Sequence, residues 1–452
     1  MQNVYVKTLG CKVNTYDSDS LETQFREKGY QVVKDPKNAD ISILNTCSVT
    51  ENADKEARYL LRRFKRENPE ALIVATGCYA QTDSQKLLDM NDVDLVFPNE
   101  VKDRVASVSD EQLKLKRSGA ELSAPKLPAD VKPVKENRQG HFKSSLKMLA
   151  ADSSKTRAFL KIQDGCNGFC AYCLIPYARG ASRSVEPKDV KAEVKRLISQ
   201  GVQEIVFTGI HIGDYGDDIQ GGQSLTDLIS EMMDWDDMVR LRISALEPRE
   251  LPEKLLKVLA RRPELFCDHF HLPLQAGNDR ILKLMRRTYT TSQYAETVAM
   301  ARSYFPNANF GADVIPGFPG ESDEEFASTM DFIQSIGLNY LHVFPYSKRP
   351  NTSAAKMPGH LDLHVVKERA KALRALSDRL KEDYCRSFIG KTVSVLWEKD
   401  KDKTGRSIGH SLNYLDIVAP STVEAAPGSI NMVKVKGFVE GGRMLGLPIK
   451  RS

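Results

Sequence analysis

Long apolar runs, cysteine and net charge are all scarce in this chain of 452 residues. Nowhere do about 18 apolar residues follow one another, and the opening MQNVYVKTLG has no basic start leading into an apolar run. Neither a membrane span nor an export signal is therefore expected, and the cytoplasm is the default location. Eight cysteines are too few for a disulfide scaffold in so long a chain; in a reducing compartment, clustered cysteines bind metal or carry out chemistry. The 65 Lys and Arg are nearly matched by 60 Asp and Glu, and a net charge of +5 does not by itself point to a nucleic-acid partner. The distribution says more, because ten Lys and Arg against six Asp and Glu lie between Phe388 and Ser452. With 41% hydrophobic residues the chain is long enough for two to four domains, each with its own core.

The first hundred residues alternate short apolar runs with amphipathic stretches: VYVKTLG, a helical pattern from about Asn14 to Gly29, ISILNT, a second helix near Glu51 to Glu67, ALIVATG and then DLVF. This rhythm predicts an α/β domain over residues 1–104, built on an open parallel sheet that collects ligands at the carboxyl ends of its strands. Over 105–155 the pattern dissolves into RSGAELSAPKLPADVKPVKENRQG, which reads as a solvated linker or insertion. Over 156–386, strand-like AFLKIQ, EIVFTG, VRLRIS, DHFHL, FGADVI and LHVF recur with helical patterns in most gaps, closing with a long helix at about Leu361 to Arg386. Six β-α units in series predict a partial TIM-type (β/α)6 barrel, with its chemistry at the C-terminal strand ends. Residues 387–452 alternate short strands broken by Gly and Pro, as expected of a small antiparallel β-barrel of OB-like type.

Two groups of cysteines stand out. DGCNGFCAYC sets Cys166, Cys170 and Cys173 at C-x3-C-x2-C spacing on a glycine-loosened loop directly after a predicted strand. Zinc and ferredoxin patterns use four ligands, and no fourth Cys or His lies close by in sequence. Three thiolates on a 4Fe-4S cluster leave one iron open to chelate S-adenosylmethionine (SAM), the arrangement that generates a 5′-deoxyadenosyl radical. The competing reading is a structural zinc loop with a distant fourth ligand. The second group is spread out: TLGCKVN, ILNTCSVT and ATGCYAQ place Cys11, Cys47 and Cys78 two or three residues beyond three successive apolar runs. One such cysteine alone is most simply a buried core residue. Repetition at equivalent strand ends, beside Gly10, Gly77, Asn45 and Thr46, instead suggests a second three-thiolate cluster able to present a sulfur atom. Cys267 and Cys385 fit no pattern and are read as structural.

These segments, with DGCNGFCAYCLIPYARG, TGIHIGDYG, HLPLQAGNDRILKLMRRTYT, GADVIPGFPGE and HVFPYSKRP, resemble the radical SAM methylthiotransferases over nearly the whole chain apart from the linker. CKVN, NTCSVT and GCYAQ are similar to the branch acting on N6-threonylcarbamoyladenosine beside the tRNA anticodon. The resemblance implies a radical SAM barrel, a terminal TRAM module and two 4Fe-4S clusters. Cys166, Cys170 and Cys173 would hold the SAM-cleaving cluster, and Cys11, Cys47 and Cys78 the auxiliary cluster carrying the sulfur to be inserted. It also implies tRNA as partner, an electron donor of flavodoxin or ferredoxin type, and a sulfur donor. It implies as well that two SAM are consumed per product, one methylating the sulfur and one supplying the radical. Ala245 and Ala276 stand where the family commonly has serine, and Asn351 where it commonly has glycine.

Placement at barrel strand ends makes Tyr172, Thr208, Gly209, Glu247, Ile315, Gly317 and Gly320 candidate SAM contacts, with barrel-mouth core, structural glycines and a surface acid as the plainer readings. His211 is a weaker candidate. Arg179 and Arg183 suit a carboxylate or a phosphate as well as they suit solvated surface. RYLLRRFKR turns Arg58, Arg62 and Lys65 or Arg66 to one helix face, which is either a phosphate contact or a solvated face. The basic C-terminal barrel suits the backbone of folded RNA, or serves only as a stabilising module. Rival functions share the cysteines: methylthiolation of isopentenyladenosine in tRNA, methylthiolation of a ribosomal-protein aspartate, or plain iron-sulfur electron transfer, which normally uses four cysteines per cluster.

Overall fold

The computed structural model describes residues 2–118, 126–128, 131, 151, 155–423, 425–439 and 442–449. Packing divides the chain into two units, and the division is not collinear with the sequence. Gln163–Val185 and Ser347–Met357 pack with Met1–Asp152, whereas Ser153–Ile162, Glu186–Tyr346 and Pro358–Ser452 form the other unit.

The first unit is an all-parallel sheet of β1 (Asn3–Thr8), β2 (Gln31–Val32), β3 (Ile41–Thr46), β4 (Leu72–Gly77) and β5 (Leu95–Phe97), in the order β2-β1-β3-β4-β5. β3 and β4 are buried along their whole length, as strands covered on both faces must be, which is why ISILNT and LIVATG read as continuous apolar runs. Helix α1 (Lys12–Glu27) lays Leu21 and Phe25 on one face of the sheet. Helix α2 (Glu51–Glu67), capped by Thr50, lays Ala57, Leu60, Leu61 and Phe64 on the other. The chain thus leaves neighbouring strands β1 and β3 toward opposite faces. Their carboxyl ends therefore form a topological switch point, the place where doubly wound sheets bind ligands.

The expected linker is corrected at its start. Val105–Arg117 is a helix, and Val105, Ala106 and Leu113 bury against the same face as α1. Its Lys- and Ser-rich outer side and the Pro-rich sequence beyond it masked this apolar stripe. Most of the remaining predicted linker lies outside the described residues. A two-residue hairpin, Gln163–Asp164 with Arg183–Ser184, closes the loop that carries Cys166, Cys170 and Cys173.

The second unit holds six parallel strands in sequence order: Arg157–Lys161, Glu204–Thr208, Arg240–Ile243, His269–His271, Asn309–Val314 and Tyr340–Val343. The first three pair with one another, as do the last three. A bridge between Leu241 and Phe266, with Leu246 N donating to His271 O at 3.0 Å, joins the two sets into one arc. This is the expected partial (β/α)6 barrel. Thr392–Lys401, Ser407–Ser411, Asp416–Val418, Ile430–Phe438 and Met444–Pro448 close into a small barrel around Trp397, Val395, Ile417, Val433 and Val435. This is the expected small barrel; all of its pairs are antiparallel except Asp416–Val418 with Met444–Pro448, which is parallel. The final hairpin returns the last strand beside the third, already running in the same direction. Cys385, at the end of helix Leu363–Arg386, buries in this barrel core, and Cys267 is fully buried, the placement a structural role requires.

Candidate functional site

Cys11, Cys47 and Cys78 each immediately follow or lie close after a strand end, on the adjacent strands β1, β3 and β4. Cys11 caps α1, and Cys78 opens the short helix α3 (Cys78–Thr82). The turn before Cys78 requires glycine: Gly77 has φ of 98°, and a Cβ there would lie 2.5 Å from the backbone N and O of Thr46. Gly10 packs so closely that a Cβ would come within 3.0 Å of Cys47 Sγ. The strand ends are bound to one another by side chains. Asn14 Nδ2 donates to Leu9 O at 2.7 Å and Thr46 O at 3.0 Å, and Asn45 Nδ2 donates to Asn14 O at 2.9 Å. Thr46 Oγ1 donates to Thr76 O at 2.6 Å and accepts from Tyr79 N at 3.1 Å.

The thiols feel one another. Burial pushes Cys47 up to about 12, with Cys78 and then Cys11 adding to the effect. Burial likewise raises Cys11, against the pull of Arg179; Cys11 stays accessible although protein surrounds it. Neutral thiols in this setting become good ligands when a cation takes up the charge of the thiolate. None of the eight cysteines forms a disulfide.

Beside them lies a buried charge network. Arg179, 2% exposed, sits 3.0 Å from Asp17 and 3.1 Å from Asp164, and it also donates to Asn14 Oδ1. Lys102 Nζ reaches Asp17 at 2.9 Å and Asn45 Oδ1 at 3.2 Å. Burial works against the Arg179 charge, but Asp164, Cys78 and Asp17 outweigh it and hold the guanidinium ionised. Arg183 is buried too and donates to Arg179 O at 3.0 Å, so neither arginine is surface charge. On the other side, Arg349 Nη2 donates to Asp54 at 2.6 Å and to Ser48 Oγ at 3.0 Å, fixing the turn that follows Cys47. The basic run on α2 does not form one phosphate face. Arg58 is spent on Tyr79 OH at 2.6 Å and Lys65 lies 3.7 Å from Asp94, leaving Arg62 and Arg66 exposed.

The second cysteine loop packs in the same unit. Gly168 N points at Cys166 Sγ at 3.2 Å and Ile175 N at Cys173 Sγ at 3.4 Å. Asn99 Nδ2 lies 3.7 Å from Cys78 Sγ and donates to Ala178 O at 2.8 Å. Backbone and amide N–H groups aimed at sulfur are what thiolate ligands of an iron-sulfur cluster need. Tyr172 is half-buried on this loop, and Ala171 O accepts from Ala354 N at 2.7 Å. Asn351, where glycine was expected, does take a left-handed backbone, with φ of 65°.

In the second unit, Thr208 closes the second strand and Gly209 follows it. Glu247 follows the third strand but is engaged: it caps the turn Pro248–Glu250 and pairs with Arg287. Beyond the fifth strand, Ile315 N donates to Gln275 O at 2.9 Å and Gly320 N to Gly359 O at 2.8 Å. Gly317 N donates to Glu321 at 2.7 Å, and a Cβ at Gly317 would lie 2.6 Å from Val366. His211 pairs with Asp214 at 3.1 Å and with Glu250. Sequence reading missed a cluster at the last three strand ends, where His271, Asp313 and His342 come together. The signal was present as isolated polar residues inside the apolar runs DHFHL, FGADVI and LHVF.

Residues 3–98 match the uncharacterized protein family UPF0004, and residues 160–333 match the Radical SAM superfamily. A threonylcarbamoyladenosine tRNA methylthiotransferase of Bacillus subtilis is 35% identical over 96% of this chain and 94% of its own. One from Aquifex aeolicus is 37% identical over 87% and 92%. A tRNA-2-methylthio-N(6)-dimethylallyladenosine synthase of Syntrophus aciditrophicus is 33% identical over 90% and 87%. Among solved structures, a radical S-adenosylmethionine methyltransferase of Kitasatospora setae, with cobalamin and a [4Fe-4S] cluster bound, covers 76% of this chain and 75% of its own. Its TM-score of 0.53 at 16% identity is a likeness of fold.

Proposed function

The chain belongs to the radical SAM methylthiotransferases, and from that membership we propose that it converts N6-threonylcarbamoyladenosine beside the tRNA anticodon to its 2-methylthio derivative. A 4Fe-4S cluster and SAM go with the fold. Once bound, they supply a 5′-deoxyadenosyl radical, the reagent required because the C2–H bond of adenine resists acid-base chemistry.

Cys166, Cys170 and Cys173 hold that cluster in our reading, with the N–H groups of Gly168 and Ile175 offsetting the thiolate charge. Cys11, Cys47 and Cys78 hold a second one, the source of the methylthio group. Their shared strand-end placement at the switch point, in one packing unit with the first loop, is the observation that carries the reading. Arg179 and Lys102 balance charge there, and Asn14, Asn45 and Thr46 keep the three ends in register. In the same reading Thr208, Gly209, Glu247, Ile315, Gly317 and Gly320 serve as SAM contacts from the barrel strand ends, and Tyr172 as one from the cysteine loop. The C-terminal barrel offers exposed Lys434 and Lys436 to the RNA backbone. An electron donor of flavodoxin or ferredoxin type and a sulfur donor complete the cycle. Among the described residues no helix is long and apolar enough to cross a membrane.

The test is mass spectrometry of tRNA nucleosides from a strain with and without the gene. Loss of 2-methylthio-N6-threonylcarbamoyladenosine, restored by the wild-type gene but not by Cys47→Ala or Cys170→Ala, is the expected result. An unchanged nucleoside profile sinks the substrate assignment and turns attention to isopentenyladenosine or a ribosomal protein.

A further inference from the structure

The cluster at the last three barrel strand ends has no part in the roles given above. His271 ends the fourth strand, and Asp313 and His342 are penultimate in the fifth and sixth. The register sets His271 opposite Gly311 and Asp313 opposite His342, so the two-residue period sends all three side chains to one face. Asp313 Oδ1 lies 2.8 Å from His271 Nε2 and 3.4 Å from His342 Nδ1. Behind them, Tyr340 OH is 3.0 Å from His271 Nδ1 and 2.8 Å from His269 Nε2. The Tyr340 ring fits only because residue 311 is glycine: a Cβ there would lie 1.9 Å from it. The network therefore fixes Asp313 from behind and leaves one ring on the outside. His342 is 56% exposed, against 25% for Asp313 and 11% for His271.

We propose that His342, braced by Asp313 and His271, is a specificity-determining contact that reads the polar substituent on N6 of the substrate adenine; this rests on the tRNA reading above. The threonylcarbamoyl group offers a carboxylate, a hydroxyl and amide N–H groups. A dimethylallyl group offers only methyls. With Nδ1 turned to Asp313, His342 presents Nε2 outward. That nitrogen can donate to a carboxylate or accept from a hydroxyl or N–H, the polar groups that the threonylcarbamoyl substituent offers. Against a prenyl chain the same imidazole loses water and gains no partner, so the site also discriminates by exclusion.

The experiment measures binding of fluorescent anticodon stem-loops by the full-length, cluster-reconstituted enzyme, with threonylcarbamoyladenosine, dimethylallyladenosine or plain adenosine at the modified position. Wild type prefers the threonylcarbamoyl RNA. His342→Phe weakens that RNA by roughly tenfold to a hundredfold, the range of one charge-assisted hydrogen bond, while binding of the plain RNA is unchanged. His342→Gln, which can still hydrogen-bond, retains more of the preference than His342→Phe. Because His342 is exposed, both variants keep the wild-type melting temperature. Retention of the full preference in His342→Phe overturns this inference alone. A wild-type enzyme with no preference overturns the substrate reading and this inference with it. The three ligand atoms lie within 4.8 Å of one another, so a preference abolished by dialysis against a chelator overturns direct recognition in favour of a bound cation.

Discussion

Replacing Arg179 with methionine should unfold the first unit before it disturbs the second. The guanidinium lies 3.0 Å from Asp17 and 3.1 Å from Asp164, and all three side chains are at most 6% exposed. Lys102, 2.9 Å from Asp17, and Arg183, 3.7 Å from Asp164, are partial substitutes. Losing Arg179 nevertheless leaves two buried carboxylates short of one cation. Breaking such a buried pair costs about 3–5 kcal/mol, because the stranded charge keeps its desolvation penalty. For a unit of this size each kcal/mol moves the melting temperature by about 2–4 °C, so the first calorimetric transition should fall by about 6–20 °C. Arg179→Met with Asp164→Asn should recover much of that loss, since methionine and asparagine together remove one charge of each sign. A drop of less than about 2 °C in the single variant, or no recovery in the double, would refute the account of Arg179 as the charge balance of this site.

Gly77→Ala puts a methyl group against the Thr46 backbone at a left-handed turn, so it should displace Cys78 and, with the two clusters proposed above, lower reconstituted iron from about eight to about four atoms per chain, measured by iron analysis and Mössbauer spectroscopy. Asp268 is pushed up to about 6 by burial. The native state therefore holds a proton that the unfolded chain releases, and stability should fall as pH rises from about 4 to about 6; Asp268→Asn should flatten that slope in denaturant titrations. Lys434→Glu with Lys436→Glu, both exposed on one strand, should weaken tRNA binding irrespective of sequence and reduce the salt slope by about 2, as filter binding at graded salt would report.

The cysteine framework was legible because its signals are local. Gly-Cys and Thr-Cys punctuate apolar runs, and the β-α rhythm itself places those points on neighbouring strand ends. Arg179 was legible only as a contact for a carboxylate or phosphate or as solvated charge, because its partners Asp17 and Asn14 lie 162 and 165 residues away. Only folding shows that its carboxylates are the protein's own and that it is buried. His271, Asp313 and His342 were likewise hidden, each looking like a stray polar residue in a strand until register set them side by side. The helix Val105–Arg117 escaped because its apolar stripe is thin and its outer side carries the composition of the linker that follows. The parallel pair in the terminal barrel depends on which strands become neighbours, which alternation alone leaves open.

The non-collinear division of the chain bears on how the protein comes into being. Asp17 and Asp54 are made early, yet Arg179 and Arg349, their buried partners, are supplied by Gln163–Val185 and Ser347–Met357. An N-terminal fragment ending before residue 163 would carry both carboxylates with neither arginine. During synthesis, the first unit to emerge from the ribosome is thus the one that must wait, its cysteine-bearing strand ends left unbraced until residue 357 has followed.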